Sequence, residues 1–375
     1  MSLSIAIIGL PNVGKSTLFN ALTDSNILAA NYPFATIEPN TGIVPVPDLR
    51  LNKLSELYGG APIKPATVTF VDVAGLVKGA SKGEGLGNQF LSHIRTTNAI
   101  VQVVRAFHDP AILVDGRASA NDLSGSSSGQ PDPATDIDII NTELVLADLQ
   151  TVTKRLPIAQ KEAKANPKLK PNADFLEQVQ QALDSGEPLW SEPTVIENDL
   201  CEWLQKELQL LTLKPVIYLF NVDEEGLGDA ALQQKLSTLV APSQALFVCA
   251  KLEDELRGLD DADRAEMLES YGVAESGLNQ LIHAAYKTLG LQSYLTAGDK
   301  EVRAWTIPQG ATAPQAAGVI HGDFERGFIA ADIVNYDELM AAGSLQAAKA
   351  AGKLATVGKT YVMQPNDIVE FKFNV

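Results

Sequence analysis

Residues 9–16 read Gly-Leu-Pro-Asn-Val-Gly-Lys-Ser, the spacing G-x-x-x-x-G-K-[ST]. The chemistry this spacing serves is the capture of a polyphosphate. Gly9 and Gly14 allow the backbone to wrap a phosphate so that successive N–H groups point inward. Lys15 brings a point charge to the outer phosphate oxygens, and Ser16 brings a hydroxyl to Mg²⁺. The phosphate-binding candidates are Asn12, Val13, Gly14, Lys15, Ser16 and Thr17, and Lys15 and Asn12 are the catalytic candidates. A strand-like run, Ser4–Gly9, precedes the loop, and a helical stretch at 15–23 follows it with its positive end toward the loop.

Asp72-Val73-Ala74-Gly75 has the form D-x-x-G at the end of a second strand-like run. Its Asp reaches a Mg²⁺ ion through water, and its Gly N–H senses a γ-phosphate. Thr36, in Pro33-Phe34-Ala35-Thr36-Ile37, is the candidate that completes the Mg²⁺ shell when the γ-phosphate is present. It also reads as an ordinary loop Thr. The metal candidates are therefore Ser16, Thr36 and Asp72.

The elements that position these residues follow from apolar runs. Strands are predicted at Ser4–Gly9, 66–73, 99–107, 214–221 and 245–250, separated by helical stretches. That order implies a parallel sheet covered on both faces. Residues 119–135, rich in Ser, Gly, Pro and Asp, predict a mobile loop. Helical spacing at 136–164, 175–183 and 195–211 predicts an antiparallel helical arm inserted between the third and fourth core strands. From about residue 293 the chain is rich in Gly and Ala and ends in 360–365 and an alternating strand at Asp367–Phe373, a small α+β domain.

Bulk properties narrow the class. Of the 375 residues, 45% are apolar and 20% charged, which suits a globular protein of two or three domains. Cys201 and Cys249 form no disulfide or zinc pattern, so a reducing cytoplasm is expected. No basic leader and no apolar run near the ~20 residues of a bilayer span are present, so neither export nor membrane insertion is expected. The net charge of −17 argues against the whole molecule binding polyanions, and no DNA or membrane partner is expected. A local basic patch stays open.

These motifs match the translation-factor-related P-loop GTPase class, a Ras-like G domain. Residues 31–41 (NYPFATIEPNT) and 72–90 (DVAGLVKGASKGEGLGNQF) resemble the YchF/Obg-like ATPase family more narrowly. The resemblance covers the whole chain. It implies a nucleotide domain over 1–135 and 212–290, a helical coiled-coil arm over 136–211, and a ubiquitin-like TGS domain over 291–375. It also implies a monomeric Mg²⁺-dependent enzyme that prefers ATP to GTP and associates with the ribosome or its RNA.

Base recognition is expected from Asn221, Val222, Glu224, Ala250 and Lys251. GTPases of this class carry N-K-x-D where this chain has Asn221-Val222-Asp223-Glu224. Val222 removes the lysine stem, and the longer Glu224 misplaces the carboxylate that pairs with guanine, so guanine preference is lost. Asn221, backbone groups and water then read adenine, unless Asp223 takes the guanine-reading role through a one-residue slip. Cys249-Ala250-Lys251 stands where the class has S-A-K, and its backbone and the Lys251 stem are expected to close over the base.

The attacking water has no obvious partner. Leu76 occupies the position of the glutamine that orients it in Ras-like enzymes. Asn12 suggests K⁺ beside the β- and γ-phosphates, as in related enzymes with Asn there, or it caps the loop. The family's histidine after the third strand aligns near Val114, and His108 reads either as a base or as a surface residue. Gly75, Gly79, Gly83, Gly85 and Gly87 suit a loop that orders on triphosphate binding, with Lys78 and Lys82 facing phosphate, partner or solvent. Three functions stand: an ATPase switch, a GTPase of the same fold, and a nucleotide-gated binding factor whose hydrolysis is incidental.

Overall fold

The computed structural model describes residues 3–24, 40–73, 86–108 and 130–374. Thr36, Gly75, Leu76, Lys78, Gly79, Lys82, Gly83, Gly85, Val114 and most of 119–135 lie outside the described residues. The chain divides into two compact units, Met1–Gly42 with Thr69–Leu281 and Ile43–Val68 with Ile282–Val375.

The first stretch runs β1 (Ser4–Gly9), α1 (Lys15–Asp24), β2 (Thr41–Pro45), α2 (Leu49–Leu57), β3 (Ile63–Lys64), β4 (Thr67–Asp72), α3 (Leu86–Thr96) and β5 (Ala99–Arg105). After it come α4 (Pro133–Ala165), α5 (Lys170–Asp184), α6 (Pro193–Ile196) and α7 (Cys201–Leu208). The first sheet and its helices resume with β6 (Val216–Asn221), α8 (Glu224–Gly228), α9 (Ala230–Val240), β7 (Gln244–Val248), α10 (Ala250–Glu255), α11 (Asp261–Ser270) and α12 (Gly277–Thr288).

In the first unit the sheet order is β2-β4-β1-β5-β6-β7. From β4 to β7 every pairing is parallel. Strands β5 and β6 are buried along their whole length, as is β1 after Ser4, because helices cover both faces. One face packs Ala6, Ile8, Ile100, Val104 and Phe220 against Leu91 and Ile94 of α3 and Ile140 and Leu144 of α4. The root of the arm therefore shares a core with the helix that follows the D-x-x-G segment.

The arm is inserted between β5 and β6, as the sequence predicts. Asp132 caps α4, accepting from the Thr135 N–H at 3.2 Å, with Pro133 in the first turn. Beyond the sheet α4 builds a separate core with α5, in which Val152, Leu156 and Ala159 meet Ala173, Leu176 and Val179. The stretch 195–211, expected to be one helical element, is two short helices. The Asn198 side chain accepts from the Leu200 N–H at 2.9 Å, and a turn results. Gln209, in the left-handed region at φ 49°, ends α7.

The arm's root is tied by a buried charge cluster. Asp148 is wholly buried and accepts from Leu211 N–H (2.9 Å), Thr212 N–H (2.7 Å) and Thr212 Oγ1 (2.8 Å). Arg95, at the end of α3, lies 3.7 Å from its carboxylate. Lys214 donates to the carbonyls of Arg95 and Thr97. Burial pushes Asp148 up from the ordinary carboxylate range, against the pull of its donors.

The second unit adds β8 (Leu291–Ala297), β9 (Val302–Pro308), α13 (Ala313–Ile320), α14 (Gly322–Arg326), β10 (Phe328–Asn335), α15 (Tyr336–Ala342), α16 (Leu345–Ala350), β11 (Ala355–Val357) and β12 (Asp367–Phe373). Its sheet order is β11-β10-β12-β8-β9-β3. The hairpin β8/β9, the helix α13 and a last strand parallel to β8 make the ubiquitin-like arrangement that the resemblance implied. Ala313, Ala316 and Ala317 have no exposed surface, which lets α13 sit close on the sheet. Residues 43–68 belong here rather than with the remainder of 1–135. Ile63 and Lys64 pair with Val302 and Arg303, and Arg50 donates to Pro365 O (2.6 Å) and Asn366 Oδ1 (2.8 Å). No helix among the described residues is long and apolar enough to cross a membrane.

Lys214 supplies a pH test of the arm's root. Burial pushes its ammonium down to about 8, while in the unfolded chain it titrates near ~10.4. Between those values the unfolded state binds more protons, so stability rises with pH across that window. Urea unfolding from about pH 7.5 to 10 should show the wild type gaining about 2 kcal/mol relative to Lys214→Met. Parallel pH profiles for the two proteins would refute the assignment.

Candidate nucleotide site

Parallel register collects the predicted residues at one edge of the sheet. Ile7 lies opposite Asp72, Gly9 opposite Val103, and Asn221 opposite both Arg105 and Val248. Gly9, Asp72, Asn221 and the Cys249–Lys251 segment thus end or follow neighbouring strands at their carboxyl ends, where ligands bind in open α/β sheets.

The loop between β1 and α1 has no room for side chains at its glycines. A Cβ on Gly9 would meet Val103 O and Val13 Cγ2, both at 2.9 Å. Gly14 has φ +89°, and a Cβ there would lie 2.3 Å from Asn221 Nδ2. Asn12 is left-handed at φ 61°, which turns the backbone between the glycines. Val13 is buried and anchors the loop, whereas Ser16 and Thr17 are exposed at the first turn of α1. That turn carries no acidic residue, so its free N–H groups and the helix dipole favour an anion.

Lys15 is nearly buried and forms an ion pair with Asp72. The pair fits a magnesium–triphosphate. Cation and carboxylate stand where a phosphate oxygen would draw the first and a hydrated metal the second, with the Ser16 hydroxyl on the adjacent turn. Thr36 lies outside the described residues, so of the metal candidates the structure describes Ser16 and Asp72.

Asn221 has a structural task beside the one expected of it. Its Nδ2 donates to Val13 O at 3.0 Å, and its Oδ1 accepts from the Ala250 N–H at 3.0 Å. One N–H and one lone pair of the amide are engaged in this way, so Asn221 ties the phosphate loop to the base loop. Val222 is buried in the sheet core with its N–H on Val248 O at 2.8 Å, so its side chain does not face a base. Asp223 caps α8, accepting from Gly226 N–H at 2.9 Å, which opposes the slipped guanine-reading role.

Glu224 and Lys251 meet across the base loops at 2.8 Å, with Lys251 mostly exposed. The hydrogen bond from Lys251 holds the Glu224 carboxyl below the usual carboxylate range, and Glu224 raises Lys251 in return. His108 is exposed just beyond β5.

Two further groups were not legible in the sequence. Arg105, buried at the end of β5, donates to Phe107 O at 3.2 Å and lies over the Phe107 ring. Glu253 is buried behind the base loop and accepts from Ser276 Oγ (2.8 Å) and Leu278 N–H (3.3 Å), which fixes α10 to the start of α12. A buried cation at a strand end was the available signal for Arg105, and Glu253 had none.

The clamp is testable. Asn221→Ala should weaken triphosphate binding by at least tenfold by calorimetry, because the buried Val13 carbonyl and Ala250 N–H each lose a partner at about 1–3 kcal/mol. Gly14→Ala should abolish it. Unchanged affinity in Asn221→Ala would remove the amide from its positioning role.

Comparison with known proteins places this site. The profile of the 50S ribosome-binding GTPase family matches residues 4–126. The C-terminal profile of YchF-type GTPases, described as a protein of unknown function, matches residues 291–374. The chain is 47% identical to the ribosome-binding ATPase YchF of Bacillus subtilis over 384 residues, covering all of both chains. It is 47% identical to the protein of the same name from Escherichia coli O157:H7 over 378 residues, again covering both. Among solved structures it resembles the Schizosaccharomyces pombe YchF GTPase with a TM-score of 0.83 and 38% identity, covering 99% of this chain and 98% of that one. The phosphate loop, the clamp behind it, the inserted arm and the C-terminal unit are the parts of one known architecture, and the chain belongs to the YchF family of P-loop proteins.

Proposed function

We propose that this protein is a Mg²⁺-dependent ATPase that works as a nucleotide-controlled switch on the ribosome. The observation that carries the enzymatic part is the Lys15–Asp72 pair beside a glycine loop that is closed to any Cβ. Asn12, Val13, Gly14, Lys15, Ser16 and Thr17 would hold the phosphates, and Ser16, Asp72 and Thr36 the metal. When bound, Mg²⁺ supplies charge neutralisation at the β- and γ-oxygens. Lys15 stabilises the charge that develops as the γ-phosphoryl leaves. Asn12 is the residue for a K⁺ beside the phosphates, and comparison of rates in K⁺ and Na⁺ decides that role.

Base preference rests on what the loops lack. Guanine reading in this class needs a carboxylate free to take two hydrogen bonds, and Glu224 is engaged by Lys251 while Asp223 caps a helix. The names of the relatives differ on this point, ATPase for the bacterial proteins and GTPase for the yeast structure, so the site's own residues carry the choice. Adenine is read by backbone groups of the 222–224 and 249–251 segments, with the Lys251 stem beside them.

Ribosome association follows from the names of the bacterial relatives, matched over their full length. It implies a cytoplasmic protein. The functional division is a nucleotide domain over 1–135 and 212–290, apart from residues 43–68, which the second compact unit takes up, with an arm over 136–211 and a C-terminal domain over 291–375, acting as a monomer. A GTPase of the same fold is the second reading, and a binding factor with incidental hydrolysis the third. With Leu76 in the glutamine position, slow turnover that ribosomes accelerate separates a switch from that third reading.

Competition with unlabelled nucleotides in KCl and Mg²⁺ should show ATP displacing a fluorescent analogue at least tenfold more effectively than GTP. Glu224→Asp should move that ratio toward GTP by about fivefold, and Lys15→Ala should abolish hydrolysis. GTP binding tighter than ATP in the wild type would replace the first reading with the second.

A further inference from the structure

The chain has 46 carboxylates against 29 lysines and arginines, yet its charge is uneven. Residues 154–170, spanning the end of α4, the turn and the start of α5, carry Lys154, Arg155, Lys161, Lys164, Lys168 and Lys170 with one carboxylate, Glu162. Arg155 binds Glu162 at 2.9 Å, so the acid leaves the lysines alone. All five lysines are exposed, and none makes an ion pair among the described residues.

Helical spacing sets them on one face. Lys154, Ile158, Lys161 and Lys164 fall within about a third of the circumference of α4, over about 15 Å of its length. Val152, Leu156 and Ala159 point the other way and are buried against α5. Nothing in the arm's own packing uses the cationic face. Lys168 and Lys170 extend it around the turn.

We propose that this lysine face docks on the phosphate backbone of RNA, and that it is the arm's contact with the ribosome; the identity of the RNA rests on the ribosome-binding reading above. Like charges at these spacings repel one another in the free arm, and a polyanion relieves all of them together. The acidic remainder of the chain repels the same polyanion, which confines contact to the arm and orients the approach. Lysines are point charges that bind phosphate without reading bases, so the contact is independent of sequence. A bilayer is the poorer partner. An interfacial helix needs an apolar face, and here α5 covers that face, leaving Ile158 and Leu169 as the exposed large apolar side chains within residues 154–170.

The test uses the full chain and a variant with Lys154, Lys161, Lys164, Lys168 and Lys170 all changed to Gln, beside a second with the same five changed to Arg. A short RNA hairpin, purified ribosomes and phosphatidylserine vesicles are the probes. The Gln variant should bind the hairpin at least tenfold more weakly at about 100 mM salt, with its log–log salt slope reduced by about 3–4. It should also sediment less with ribosomes, while basal ATP hydrolysis stays unchanged. The Arg variant should behave as the wild type, and neither should bind vesicles. Equal hairpin affinity in wild type and Gln variant overturns the proposal. So does loss of ribosome binding in the Gln variant when the wild type ignores the hairpin, since the partner is then a protein surface. Lysine-dependent vesicle binding overturns it in favour of a membrane. If the hairpin result holds but the wild type does not sediment with ribosomes, the ribosome reading fails and the lysine face remains an RNA site.

Discussion

The side-chain amide of Asn221 joins the phosphate loop to the loop that follows β7. One end accepts from the Ala250 N–H and the other donates to Val13 O, and the group is buried. A buried amide with both ends satisfied is worth more than either bond alone, because losing it leaves two backbone groups without partners. Its position also explains Gly14. The glycine's missing Cβ is the space that Nδ2 occupies, so the left-handed φ and the clamp are one requirement met by two residues. The phosphate loop is held from behind by the loop that lies beside the base.

A second constraint operates at the arm's root. Asp148, Arg95 and Lys214 are charges taken out of water, and such groups are tolerated when their hydrogen-bonding capacity is filled. Here it is filled mainly from the backbone, by the 211–212 N–H groups and the carbonyls of residues 95 and 97. The end of α3, the entry of the arm on α4 and its exit before β6 thereby meet in one network. Since α3 is the next described element after the D-x-x-G segment, the arm has a polar attachment to that element as well as an apolar one.

Much of the first unit was legible because each feature has a local cause. The strands are continuous apolar runs, the phosphate loop needs its glycines and lysine at fixed spacing, and α4 shows helical spacing from residue 136, although its cap Asp132 and first residue Pro133 fall in the stretch expected to be a loop. Most of what escaped has a non-local cause, the break in 195–211 being the local exception. Ile63 and Lys64 form a strand only because β9 offers an edge, and two residues carry no periodicity. The break in 195–211 depends on one Asn side chain folding back on its own backbone. Asn221 reads as a base-recognition residue by type, and only three-dimensional placement shows its amide tying the phosphate loop to the base loop. Val222 likewise reads as a lost lysine in a motif, although its side chain belongs to the core.

The two-residue strand β3 has a consequence for how the protein is made. It is synthesised early, inside a stretch of chain that belongs to the first unit on both sides, and its partner β9 is among the last segments to be made. Arg50 likewise waits for Pro365 and Asn366. The second unit therefore has high contact order by construction, and it cannot close before residues 365 and 366 have been made. Until then β3 lacks the edge of β9, and its own unpaired backbone is to be shielded during synthesis.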